Sequence, residues 1–146
     1  MTLLSSRALA LAAAMTLTAG VAHAGDVTVT LTGVEARGGE LLASLQTRNQ
    51  FLRPEGAYGD LIAAPQAGTR TVIFRNVAPG DYSFSALHDV NGDRQMQMGP
   101  DGRPAEGWAM LNGAALRAAP TFDLVKFTVL ASGDVVLTIP MAYPSR

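Results

Sequence analysis

The sequence predicts an all-β fold, a small antiparallel β-sandwich with one long loop, and three observations point to it. Apolar residues recur with a period of two in six segments, Gly- and Pro-rich turns separate those segments, and no amphipathic helical run of any length interrupts them. A strand pair cannot bury its alternating face alone, so two sheets must stack their apolar sides. A small closed barrel is the alternative way to cover the same faces. With 146 residues, 48% of them hydrophobic and 16% charged, the chain has material for one core and is too apolar for intrinsic disorder.

The first 24 residues stand apart. Arg7 supplies a positive start, Ala8 to Ala19 form an apolar run, and Ala22-His23-Ala24 has the small-x-small form that signal peptidase cuts. This predicts a cleavable export signal over residues 1–24, with the cut between Ala24 and Gly25, and a sandwich over residues 25–146. The run falls short of the roughly 20 residues needed to span a bilayer. No other apolar stretch in the sequence is longer, so the mature chain is expected to be periplasmic or secreted and to have no transmembrane segment. The sequence contains no cysteine, which excludes disulfides, thiolate metal sites, a cysteine nucleophile and a lipoprotein anchor. Without Arg7 the chain keeps ten basic and twelve acidic residues, a net charge of −2 that gives no reason to expect nucleic acid.

In Asp26–Gly33, Val27, Val29 and Leu31 alternate with threonines, the pattern of a half-buried strand. Gly38-Gly39 leads into Glu40–Arg48, where Leu41, Ala43 and Leu45 share a face, and the short gap suggests an antiparallel hairpin. Asn49–Gln66 is broken by Pro54, Gly56, Gly59 and Pro65 and reads as irregular. Strands resume at Thr69–Asn76 and Tyr82–His88 across the turn Val77-Ala78-Pro79-Gly80-Asp81, with Tyr82, Phe84, Ala86 and His88 on one face. Phe122–Leu130 and Asp134–Tyr143 close the chain, joined at Ser132-Gly133. Val29, Phe74, Phe84, Leu137 and Ile139 are the predicted core.

The 89–120 loop is long for a compact β domain, and such loops commonly carry function. Asp89, Asn91 and Asp93 have the alternate-oxygen spacing that calcium loops use, and Asp101 or Glu106 would complete an oxygen cage. The competing reading is a polar turn built on Asn91-Gly92. An EF-hand is excluded, because Arg94 and Pro100 stand where glycine and glutamate are required. His88 is the one histidine after the signal, and with no cysteine a zinc site would need an uncommon all-carboxylate remainder. A Ser-His-Asp hydrolase using His88 lacks a marked nucleophile, because no G-x-S-x-G occurs. Trp108, the sole tryptophan, would stack on a sugar or plug the core. Met96, Met98 and Met110 read as packing, and Asn112 is a further polar candidate in the loop.

Several runs together carry a family resemblance: Leu31-Thr32-Gly33, Phe74-x-x-Val77-x-Pro79-Gly80-x-Tyr82, His88-Asp89-x-Asn91-Gly92-Asp93, Glu106-Gly107, Pro120-x-Phe122 and Phe127-Thr128-Val129. The chain resembles the bacterial exported family called domain of unknown function 2141. That resemblance implies a transthyretin-like (prealbumin-like) or immunoglobulin-like sandwich and brings no activity with it. The run Arg94-Gln95-Met96-Gln97 departs from the family pattern and removes an oxygen from the candidate calcium loop. The expectation is thus a non-catalytic binding or structural module of the cell envelope. Its 89–120 loop would meet an unidentified envelope component or small ligand, with a calcium-stabilised module as the alternative and a small hydrolase using His88 behind it.

Overall fold

The computed structural model describes residues 24–145, so the expected export segment lies outside the described residues apart from Ala24. Strand β1 (Gly25–Val34) runs through the middle of a three-stranded sheet. Its threonines lie on the outer face, while Val27, Val29 and Leu31 are completely buried. On one side it pairs antiparallel with β4 (Gly68–Val77), and on the other it pairs parallel with β8 (Val135–Pro140). The second sheet places β3 (Tyr58–Ala63), β2 (Glu40–Gln46) and β5 (Gly80–Asp89) side by side. The far edge of β5 is shared. Strand β6 (Gly107–Met110) lies along Ser85–His88, and β7 (Lys126–Val129) lies along Gly80–Ser83.

The two sheets close on one core. Val27, Val29, Leu31, Val72, Phe74 and Ile139 face Leu41, Leu45, Phe84, Ala86 and Val129. The rings of Phe74 and Phe84 meet edge-on across the layers, centroids 6.4 Å apart. Four of the five predicted core residues are buried, and Leu137 is half-buried and packed against them. Among the described residues, eight strands form a sandwich and no barrel. No helix among the described residues is long and apolar enough to cross a membrane.

The structure departs from the sequence reading in how the strands pair and in where some of them lie. Gly38-Gly39 does not close a hairpin, because β1 and β2 belong to different sheets. Alternation gives each strand one apolar face and is satisfied equally by two strands side by side or face to face, so it does not choose between them. The chain also crosses sheets at Val77–Gly80, where the Tyr82 hydroxyl donates to the Ala78 carbonyl (3.0 Å) and holds the Pro79-Gly80 corner. Strand β3 falls in the stretch read as irregular. Its mostly exposed residues give no alternation, and it is held by the backbone ladder to β2.

Strand β6 interrupts the expected loop, its four residues too few to show a period. The strand expected from Phe122 begins instead as one helical turn, α1 (Phe122–Val125), because Phe122 and Val125 both turn inward at a helical spacing. The parallel β1–β8 pair also departs from a wholly antiparallel sandwich.

Candidate functional site

The candidate residues gather where β5 ends and the long loop begins. His88 continues the inward face of Tyr82, Phe84 and Ala86 and is completely buried. Its Nε2 lies 2.8 Å from the Gly38 carbonyl oxygen and its Nδ1 lies 2.8 Å from the Tyr143 hydroxyl. A carbonyl only accepts, so Nε2 carries the proton and donates, and Nδ1 accepts from the hydroxyl. The Tyr143 oxygen in turn accepts the Glu35 N–H at 3.0 Å. Burial pushes the Tyr143 hydroxyl above its ordinary pKa, which keeps the phenol protonated for that role. The Arg37 guanidinium covers the same ring at 4.6 Å. Both ring nitrogens of His88 are therefore engaged by a carbonyl and a phenol, and neither meets a serine hydroxyl. The imidazole ties the β1–β2 connection and the segment after β8 to the end of β5.

Asp89, also completely buried, organises the loop that follows. Its two carboxylate oxygens accept the backbone N–H groups of Gly92 and Arg94, each at 2.8 Å. This holds Gly92 and Arg94 in the left-handed region, at φ +80° and +57°. Asp93 is exposed and accepts the Gln95 N–H at 2.9 Å, with the side-chain amides of Gln97 and Asn91 on its other oxygen. The Gln95 amide, helped by those of Gln97 and Asn91, holds the Asp93 carboxyl below the usual carboxylate range. The Asn91 side-chain oxygen accepts the Asp93 N–H.

Glu106, from the residue before β6, is buried beside this turn. One of its oxygens accepts the Val90 N–H at 3.1 Å, and the other, Oε2, has no hydrogen-bond partner among the described residues. One carboxylate oxygen from each of Asp89, Asp93 and Glu106 lies within 4.8 Å of the other two.

The structure thus brings Asp89, Asp93 and Glu106 of the sequence-derived oxygen set together and sets Asp101 apart. Asp101 sits at the exposed tip of a small hairpin, Gln97–Ala105, where it accepts the Arg103 N–H, away from the carboxylate cluster. Glu106 stands in the cluster instead. Asn112 adopts a left-handed conformation (φ +59°) and donates its side-chain amide to the Leu124 carbonyl, which anchors the segment after β6 to α1.

Trp108 does not plug the core. It is half-buried on the outer face of the second sheet, in a row with Leu42 and Leu87 of the adjoining strands. Beside that row runs a second one, Ser44, Ser85 and Met110, with the two serine oxygens 3.1 Å apart. The rows floor a groove of about 640 Å³, walled on one side by Leu52–Pro54 and on the other by Arg94–Met96. Met110 is buried, as expected of packing, but Met96 and Met98 are 42% and 59% exposed, so for them that reading is corrected. Both lie in a loop that leaves the sheet before it returns at β6.

Sequence reasoning did not find Tyr143, Gly38 or the serine row. Tyr143 looks in sequence like the end of a strand, and its tie to His88 depends on the chain turning from the first sheet toward the second after Pro140. There the backbone of Ala142 exchanges two hydrogen bonds with Trp108. A Cβ on Gly107 would overlap the Tyr143 ring, so the glycine beside Glu106 gives that ring its place.

No match is found among curated proteins or among solved structures. A family model described as an uncharacterised protein conserved in bacteria, domain of unknown function 2141, matches residues 29–137. The matched span takes in strands of both sheets, the His88–Asp93 run and Glu106. On that match the chain belongs to the family of domain of unknown function 2141.

Proposed function

We propose that the protein is an exported, non-catalytic binding module of the cell envelope, and that the groove on the outer face of its second sheet receives a small saccharide-type ligand. The observation that carries this reading is the placement of Trp108. A half-buried indole beside Leu42 and Leu87 offers a flat apolar platform, and the hydroxyls of Ser44 and Ser85 lie in the next row. A sugar presents the same division, an apolar ring face edged by hydroxyl groups. The Arg94–Met96 wall and Trp108 of β6 both fall within the 89–120 segment that the sequence suggests as a contact surface. The bonding of His88 supports a binding role over hydrolysis, since its Nδ1 accepts a hydrogen bond from a phenol and has no nucleophile to serve. Export rests on residues 1–24, and strand β1 begins at the residue after the expected cut.

Trp108 is the sole tryptophan, so its emission reports directly on the groove. Titration with cell-envelope oligosaccharides is expected to change that emission saturably in the purified protein, and Leu87→Arg, which fills the floor, to abolish the change. The reading is overturned by emission indifferent to every saccharide at millimolar concentration. It is equally overturned by turnover of an ester, glycoside or peptide that disappears in His88→Ala.

A further inference from the structure

We propose that Asp89, Asp93 and Glu106 form a calcium site at the base of the long loop, a site that stands independently of what the groove binds. Three carboxylates offer oxygens within 4.8 Å of one another, and two of the three side chains are buried. Among the described residues none of the three pairs with a lysine or arginine. The nearby Arg94 guanidinium turns to Glu40 instead, at 3.3 Å. Negative charge is thus concentrated in a partly desolvated place with no protein cation to balance it.

The second observation is Glu106 Oε2. Glu106 is only 9% exposed, and this oxygen is buried with no donor. A buried acceptor left unmatched costs stability, and a charged one costs more. A hard cation supplies what is missing. Ca2+ holds oxygens at 2.3–2.6 Å, so two ligands of one ion can lie up to about 5 Å apart, and each pair in this cluster lies within that reach. The backbone N–H groups of Gly92, Arg94, Gln95 and Val90 fix the orientation of the carboxylates while leaving lone pairs on their oxygens. Remaining positions on the ion would fall to water and backbone carbonyls, the usual complement of a six- to eight-coordinate site.

Of the two residues the sequence offers to complete the oxygen cage, Glu106, thirteen residues beyond Asp93, joins Asp89 and Asp93, and Asp101 does not. An ion there would bind the start of the loop to the start of β6 and close the 89–106 segment at its neck. That segment carries Arg94–Met96, one wall of the groove.

The test is unfolding of the purified, chelator-treated protein with increasing calcium, together with calorimetric titration. Calcium at a hundredfold excess over its Kd is expected to lower the unfolding equilibrium constant about 100-fold. Glu106→Gln is expected to lose the response. Asp93→Asn, at an exposed position, is expected to weaken it as well. The proposal is overturned if calcium neither binds nor stabilises, if sodium chloride at equal ionic strength gives the same shift, or if the response survives in both variants. Loss of saccharide binding with the calcium response intact would overturn the groove reading alone.

Discussion

Replacing Gly39 with alanine tests how closely the β1–β2 connection is seated on the end of β5. Gly38 and Gly39 both occupy the left-handed region, at φ +75° and +65°, so alanine at either position costs about 1–2 kcal/mol in backbone strain. Beyond that shared cost the two positions differ. A Cβ on Gly38 meets nothing within 4 Å, whereas one on Gly39 would overlap the Asp89 carbonyl oxygen and approach Val90 Cα to 2.7 Å. These neighbours are backbone and cannot rotate away, so the connection must lift. Lifting it stretches the His88 Nε2–Gly38 carbonyl bond and the Ala64 N–H bond to the Gly39 carbonyl, 2.8 and 2.9 Å as they stand. A buried donor stranded in this way adds about 1–3 kcal/mol. Gly39→Ala is therefore expected to cost about 2–5 kcal/mol and Gly38→Ala about 1–2 kcal/mol. Equilibrium urea unfolding of both variants measures the difference. Equal losses would refute the argument, because strain alone would then account for both.

Other consequences are equally open to measurement. Ile139, completely enclosed between the sheets, should lose about 2–5 kcal/mol on truncation to alanine, and a change near zero in urea unfolding would show that β8 does not face the core. Tyr143→Phe removes the hydroxyl that donates to His88 Nδ1 and is expected to cost about 1–3 kcal/mol by the same assay. A hydrogen bond from Lys126, with Thr128 adding to it, holds the Asp81 carboxyl below its usual range, and the Arg48 hydrogen bond does the same for Asp123. As pH falls the unfolded chain takes up these protons first, so the associated stability is complete above about pH 5 and is lost below about pH 4. Melting temperature against pH should show this fall, with a shallower slope in Asp81→Asn.

The sandwich was legible because its main signal is local. Val27, Val29 and Leu31, or Tyr82, Phe84 and His88, alternate within single strands, and burial follows that alternation. Pairing was not legible to the same degree, since the partners of β1 are chosen by long-range packing. Short or exposed strands left little trace. β3 has no apolar face to betray it, and β6 hides between a loop and a 3-10 turn. Spacing alone revealed Asp89 and Asp93, because they lie in one turn. Their company with Glu106 needed the hairpin at Gln97–Ala105 to return the chain to the sheet. Tyr143 was invisible as a partner of His88 for the same reason, being 55 residues away along the chain.

The position of β1 has a kinetic consequence. Its two neighbours contribute Val72 and Leu137 opposite Val29, both far along the chain, and among the described residues no adjacent segment pairs with it. Closing such distant loops costs entropy before any contact rewards it, so this chain should fold slowly for its size. Until the later strands arrive, Val27, Val29 and Leu31 offer a sticky, unpaired ribbon to other chains, and early intermediates would be vulnerable to aggregation there.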